Sequence, residues 1–510
     1  MREGSWNAGF RHFAKIAVSM GVLVLLCGIW MPLPASDNVI VRGPYLQLGT
    51  PTSIVVKWRT ADSSASKLCY GETLGEPSKC VSATPGKVEV EQLLPNPHSG
   101  KAIDSRMIPM FACEVKLRRL KSDTKYFYSV QSADGTPLQV QTNSLRPEPP
   151  KYETQDPKEH FFVTAPTGAK PTRIWVLGDP GTDWPGKQDA VRDAFYEFNQ
   201  DNPNGKYFAD LWLLLGDNAY IDYIYNGDDP DLARYGGYVF YDEGSDGAYQ
   251  TAFHNFYYRT LRQSVVWPTR GNHEPFDGAY YDFFKVPENG EAGGVPSATP
   301  EWYSFDYGNI HFISLDSSEG PHPDVLRVNS PMYNWVKADV AATHKDWVIA
   351  FWHHPAYSHG SHNSDDKAHD PILVKMRENY LPVLEGLGVD LVMSGHSHSL
   401  ERSFLLDGLY GFSWDLTDAN KIDAGMGRED NGGAYLKPVG RVGHKGTVYM
   451  VAGSSGDVDD PSDGTYDHPV MASTVVELGS VVIDINGNRL DAKFVNDKGE
   501  IKDYFTILKN

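Results

Sequence analysis

Hydrophobic and polar positions follow two rhythms along the chain. From Val39 to about Leu145 short segments alternate, SIVVKWRT at 53–60, ACEVKLRRL at 112–120 and KYFYSVQS at 125–132, divided by turns of Gly, Pro, Asp and Ser. This pattern predicts an all-β sandwich over 38–145, a region with few candidate catalytic residues and the character of a scaffold or docking module. Residues 146–170, rich in Pro and charge, read as a linker. Beyond Pro171 the apolar runs TRIWVL, DLWLLL, SVVWPT, NIHFISLD, DWVIAFWH and VDLVMS alternate with helix-like stretches such as KQDAVRDAFYEF and PILVKMRENYLPVLEGL. That alternation predicts a layered α/β domain from 171 to 510. Five of the apolar runs lead straight into polar clusters. Open α/β sheets collect ligand sites at the carboxyl ends of their strands, so these clusters are expected to converge.

The first 35 residues differ from both rhythms. Arg2, Arg11 and Lys15 precede an apolar run from Ile16 to Trp30, and Ala35 offers a small residue for cleavage. Fifteen apolar residues are short for a spanning helix, so 1–35 reads as a cleaved signal peptide, giving a secreted or periplasmic protein with no stable membrane span. Cys27 follows Leu26, where a lipoprotein signal would want a small residue. Cys69, Cys80 and Cys113 then remain, allowing one disulfide in an oxidising compartment and leaving one thiol; the sequence does not choose the pair. No Asn-x-Ser/Thr site occurs, which suits a bacterial envelope.

Composition narrows the partners. Forty-six Lys plus Arg against 66 Asp plus Glu give a formal charge of −20, which repels nucleic acid and anionic lipid over most of the surface. Nucleic acid is therefore excluded as a main partner. With only four Cys, stability must come from apolar burial, to which 12 Trp, 28 Tyr and 22 Phe contribute.

The polar clusters carry the chemistry. VLGDPG at 176–181 projects Asp179 from a strand end, and LLLGDNAYID at 213–222 repeats the device with Asp217 and adds Tyr220. RGNHE at 270–274 brings Asn272 and His273, FWHHPAYSHGSH at 351–362 carries His353, His354, His359 and His362, and MSGHSHSLERS at 393–403 spaces His396 and His398 by two. Taken singly, each of these is an ordinary turn or a His-rich loop. Together they offer two carboxylates, a phenol, an amide and several imidazoles, a mixed oxygen and nitrogen set suited to a pair of first-row metals.

In this order the five clusters resemble the metallophosphoesterase superfamily, and Tyr220 narrows the resemblance to the purple acid phosphatases. The likeness covers about 171–460, and GPYLQLGTPTSIVVKWRT upstream looks like the fibronectin type III-like domain of larger members. The resemblance implies an enzyme, a binuclear acid phosphatase, with Asp179, Tyr220 and His398 as terminal ligands of Fe(III) and Asp217 bridging. Asn272, His353 and His396 would hold a divalent Zn, Mn or Fe. His353 is preferred to His354 because it directly ends the strand and stands two before Pro355. A phenolate is a hard donor that favours Fe(III), in agreement with that division.

On this basis a metal-activated hydroxide attacks a phosphate monoester of a small molecule or a protein at acidic pH, and His273 protonates the departing alcohol. His359 and His362 are the further catalytic candidates, and the sequence does not separate them. Arg270 and Arg402 are expected in ion pairs, Arg402 near Glu401. Two rivals stand beside this reading. One is a phosphodiesterase or nucleotide pyrophosphatase on the same metals, its pocket lined by the insert from Asp222 to Asp246. The other is a non-catalytic envelope binding protein with structural metals, whose signature would be missing ligand positions.

Overall fold

Along Lys125–Ser132 every second side chain is buried, the period of two that KYFYSVQS displays. The computed structural model describes residues 39–95, 102–145, 150–182, 186–220, 242–319, 322, 324–461 and 464–510. The expected signal segment 1–35 lies outside them. Among these residues no helix is long and apolar enough to cross a membrane.

Among the described residues ten strands make the N-terminal sandwich: β1 Val39–Gln47, β2 Ser53–Thr60, β3 Ser66–Gly71, β4 Lys79–Ala83, β5 Gly86–Pro95, β6 Ala102–Arg118, β7 Lys125–Ser132, β8 Gln139–Gln141, β9 Tyr152–Glu153 and β10 Phe161–Val163. They form a six-stranded sheet, β5-β6-β2-β1-β8-β9, and a four-stranded sheet, β10-β7-β3-β4. The stretch expected as a linker thus supplies an edge strand to each sheet. Its apolar Phe161 and Phe162 are buried, and that burial overrides the Pro-rich composition around them. Cys69 and Cys80, opposite each other on β3 and β4, form the disulfide, and Cys113 remains a buried thiol.

Among the described residues the second region holds two seven-stranded sheets, the layered α/β arrangement expected from the alternating pattern. Its strands are β11 Thr172–Leu177, β12 Leu211–Leu214, β13 Val266–Pro268, β14 Tyr303–Tyr307, β15 Ile310–Ser314, β16 Trp347–Phe351, β17 Leu391–Ser394, β18 Leu400–Ser403, β19 Leu405–Leu406, β20 Lys421–Asp423, β21 Tyr435–Lys437, β22 Val448–Ala452, β23 Met471–Val475, β24 Gly479–Asn486, β25 Arg489–Asn496 and β26 Ile501–Lys509. The sheets run β13-β12-β11-β24-β25-β26-β21 and β14-β15-β16-β17-β22-β18-β23.

The near-continuous apolar runs explain this layering, because both faces of each strand must be covered. On β11, Ile174 and Val176 join the core shared between the sheets, while Trp175 and Leu177 pack with Val191 and Phe195 of the helix Gln188–Phe198. On β16, Trp347, Ile349 and Phe351 face the same shared core, and Val348 and Ala350 pack against Val336 of Pro331–Ala342 and Leu381 of Pro371–Gly386. The result is a helix, sheet, sheet, helix stack. Strands β11, β12 and β13 run parallel, as do β15, β16, β17 and β22, so the five polar clusters leave two sheets at a common edge.

Candidate functional site

At that edge the chain makes turns that ordinary strand ends do not need. Asp179, Asp217 and His396 all have positive φ, +56°, +52° and +69°, a backbone region that costs a non-glycine residue of order 1–3 kcal/mol. Three such residues in one cluster mark a place where the surroundings impose the conformation. The sequence makes room for them at neighbouring glycines. A Cβ on Gly271 would lie 2.0 Å from Asp217 Oδ1, and one on Gly395 would lie 2.3 Å from Asp179 Oδ2.

All seven metal-ligand candidates come together here. The Tyr220 hydroxyl donates to Asp179 Oδ1 at 2.9 Å and lies 3.1 Å from His398 Nε2, which is itself 3.6 Å from Asp179 Oδ1. His353 Nε2 is 2.9 Å from Asn272 Oδ1 and 3.1 Å from Asp217 Oδ2. Ligand atoms of Asp179, Asp217 and His353 lie within 4.8 Å of one another, as do those of His353, His354 and His396. The backbone N–H of His396 donates to Asp179 Oδ2 at 2.8 Å, which ties an end of the second sheet to an end of the first.

The ring orientations suit cation binding. His353 Nδ1 lies 2.8 Å from the Leu215 carbonyl and His398 Nδ1 2.6 Å from Asp459 Oδ2, so in both rings Nε2 is the nitrogen turned to the cluster. Asp179 and Asp217 are almost fully buried. Buried carboxylates demand positive charge, and Arg270 is committed elsewhere, 2.9 Å from Asp316. Burial opposes protonation of His353, but Asp217 and Asp179 outweigh it and push the ring up to about 9; burial likewise opposes His398, which Asp179 and Asp459 push up to about 10. Burial raises Asp217, yet His353 holds it well below the usual carboxylate range. For Tyr220, burial and Asp179 drive the phenol well above its ordinary value, so a phenolate here needs a strongly charged cation. Donor types, ring orientations and unmet charge all fit a binuclear metal centre.

The second catalytic candidate set divides. His273 donates its backbone N–H to Asp217 Oδ1 at 2.9 Å, packs its ring 4.6 Å from that of Tyr220, and places Nδ1 2.8 Å from Glu243 Oε2. His362 stacks on His396 with ring centres 3.7 Å apart and is oriented by Asp370, 3.0 Å from Nδ1. His359 is directed instead to the carbonyl of Asp467 at 3.4 Å. His354, read from sequence as a packed neighbour, is buried with Nδ1 2.9 Å from Ser317 Oγ and its ring 4.3 Å from that of His396.

Several supporting residues escaped the sequence reading. Glu274 accepts backbone N–H groups of Asp217 at 3.0 Å and Gly271 at 2.7 Å, and also that of Asn218, which joins two strand ends through one carboxylate. Burial and the Asp217 charge push Glu274 up to about 7. Glu243, Asp370 and Asp459 lie in loops without a local pattern; only Glu274, the last letter of RGNHE, had a signal. Arg402 is ion-paired as expected, but with Asp503 of β26 at 2.6 Å, while Glu401 takes the Ser358 hydroxyl at 2.6 Å and the His359 N–H at 2.8 Å. The insert from Asp222 to Asp246 lies outside the described residues up to 241.

Comparison with known proteins agrees with this architecture. Residues 172–400 match the calcineurin-like phosphoesterase family, and residues 41–145 match the purple acid phosphatase N-terminal domain. An uncharacterized protein of Mycobacterium tuberculosis is 26% identical over 451 residues, covering 84% of this chain and 72% of that protein. Purple acid phosphatase 15 of Arabidopsis thaliana is 29% identical over 264 residues, 48% of this chain and 44% of that one. In fold, the purple acid phosphatase PPD1 from yellow lupin (Lupinus luteus) seeds superposes with a TM-score of 0.59 at 17% identity, over 93% of this chain and 75% of its own.

Proposed function

We propose, from the premise that this chain is a purple acid phosphatase-like metallophosphoesterase and a hydrolase, that it is an exported acid phosphatase cleaving phosphate monoesters at one ferric and one divalent ion. The observation that carries the reading is the hydroxyl of Tyr220 joined to both Asp179 and His398, a phenol at the centre of a carboxylate and imidazole set. Asp179, Tyr220 and His398 would hold the ferric ion, Asp217 would bridge, and Asn272, His353 and His396 would hold Zn, Mn or Fe in the divalent position. When bound, such a pair polarises phosphoryl oxygens and acidifies a water molecule for attack.

The chain's own residues complete the reaction. As the new P–O bond forms with the water oxygen, the P–O bond to the alcohol breaks, and the leaving oxygen takes a proton from His273 Nε2. The Glu243 contact engages Nδ1 and leaves Nε2 for that transfer. His362, held by Asp370 against His396, would donate an N–H to a phosphoryl oxygen. Export is supported by the charged and apolar composition of residues 1–35 and by the Cys69–Cys80 disulfide, which suits an oxidising compartment.

The test is to purify the exported chain, record its visible spectrum and metal content, and compare monoester with diester hydrolysis across pH. A violet or pink protein containing iron and cleaving monoesters fastest at acidic pH is expected. A colourless protein that holds only divalent ions, or one that cleaves diesters and leaves monoesters intact, would overturn this reading.

A further inference from the structure

The sandwich grips the catalytic region at one carboxylate. Arg42 of β1 and Arg59 of β2 are paired neighbours in their sheet, and both are buried. Arg59 Nη1 and Nη2 donate to Asp246 Oδ1 and Oδ2 at 2.7 and 2.8 Å. Arg42 adds Nη2 to Oδ1 at 2.8 Å and to the Asp246 carbonyl at 3.0 Å, and its Nε donates to Gln250 Oε1 at 2.6 Å. Lys57, two residues before Arg59 on β2, donates to the carbonyls of Asp282 and Phe283 at 2.7 and 3.0 Å. One carboxylate needs one bidentate arginine for its charge. A second buried guanidinium on it adds repulsion and desolvation cost, and what it adds in return is a fixed direction.

Three residues before that anchor stands Glu243, whose carboxylate meets His273 Nδ1 at 2.8 Å. The connection between them is pinned throughout. The Gly244 N–H donates to the Ala219 carbonyl and its own carbonyl accepts from Ala279, both at 3.0 Å, while Ser245 Oγ accepts the Ala248 N–H at 3.2 Å. Gly244 has φ +61°, and a Cβ there would meet Pro275 Cδ at 2.6 Å, so the backbone rests directly against the segment that carries His273. Arg59 thus reaches the imidazole through two carboxylate contacts joined by the pinned backbone of 243–246.

We infer that the sandwich is a positioning element of the reaction: Arg42 and Arg59, through Asp246, hold Glu243 where it orients His273. Arg42, Arg59, Asp246 and Glu243 are positioning residues, acting through His273. The inference rests on the reading of His273 as the proton donor. It assigns the N-terminal domain a part in turnover beyond that of a scaffold or docking module.

The experiment compares kcat on an alkyl phosphate, whose leaving alkoxide needs the proton, with kcat on p-nitrophenyl phosphate, whose leaving group does not. In the metal-loaded full chain, Arg59→Lys keeps the charge and loses the fork. It should slow the alkyl ester about tenfold and the aryl ester less than about twofold, with KM unchanged. Adding Arg59→Lys to Glu243→Gln should cost nothing further, because both act through one imidazole. Hydrogen exchange in 244–254 should quicken in Arg59→Lys. Asp246→Glu, which keeps the charge and shifts the anchor by one methylene, serves as the second variant if Arg59→Lys fails to fold. Equal slowing of both esters, or multiplicative losses in the double variant, would overturn the inference. His273→Ala separates the two layers: if it discriminates between the esters and Arg59→Lys does not, only the positioning role falls. If His273→Ala slows both alike, the proton-donor reading falls and takes the positioning role with it.

Discussion

Two clusters of carboxylates and imidazoles are buried in the second region, and they are built to opposite ends. In one, His311 lies between Asp306 and Asp339, each nitrogen 2.8 Å from a carboxylate, and Asp339 also takes the Ser304 hydroxyl at 2.8 Å and the Val295 N–H at 2.7 Å. His311 and Asp339 are fully buried with their polar atoms partnered within the protein, and none of the three residues has a positive φ. The other, around Asp179 and Asp217, gathers carboxylate, phenol, amide and imidazole donors at separations of 2.9 to 3.6 Å, with strained backbone at three of them. Composition alone does not separate a structural ion cluster from a metal centre. Surplus donors on an imposed backbone do, because folding pays for both only where something else is bound.

The sharpest break in this contrast is a matched pair of substitutions. Asp217→Ala should abolish hydrolysis and metal retention together, read by turnover and elemental analysis. His311→Gln should leave metal content and turnover in place while lowering unfolding stability by about 3–5 kcal/mol, the usual cost of orphaning a buried ion pair. Equal metal loss in the two variants would erase the distinction.

Gly271→Ala comes next. Its methyl carbon would overlap Asp217 Oδ1 at 2.0 Å and the Asp217 backbone nitrogen at 2.4 Å, so it should cut metal affinity at least tenfold, about 1.4 kcal/mol or more, and lower the melting temperature as well. A Gly271→Ala protein with native affinity would show that the backbone there is not imposed. His273→Ala should spare both metals and slow an alkyl ester about a hundredfold.

The closed cluster also has its own pH signature. Burial lowers the affinity of His311 for a proton, but Asp306 and Asp339 more than offset it and push the ring up to about 9 from an ordinary 6.5. A raised pKa means that the contribution is full below pH 6.5 and is lost as pH rises through about 9. By linkage it amounts to about 3 kcal/mol. Urea unfolding of the native chain against His311→Gln should show a stability gap that narrows between pH 6.5 and 9; a constant gap would contradict the pairing. The smallest effect belongs to the loop histidines. His362→Ala should raise KM about tenfold and His359→Ala less than about threefold, since only His362 is stacked on the cluster.

Much of this was legible without coordinates. SIVVKWRT and KYFYSVQS are strands β2 and β7 to the residue, and the five polar clusters do meet. These features are local: a strand's alternation, and a Gly-Asp or Gly-His turn at a strand end, are written in consecutive residues. Other features were not legible. The strands β24, β25 and β26 that complete the first sheet, the partner of Arg402 in Asp503, and the choice between His359 and His362 depend on segments tens to hundreds of residues apart.

By itself the amino-acid order determined which polar side chains stand at strand ends and which strand ends present them, because both follow from short-range periodicity and turn formation. Only the tertiary structure decided how those ends are divided between two sheets, that Cys69 pairs with Cys80, and that Glu243, Asp370 and Asp459 orient the imidazoles. The reason is that orientation in a buried site comes from hydrogen bonds between distant loops, whose register is set by packing the two sheets and the sandwich against one another and not by any run of neighbouring residues.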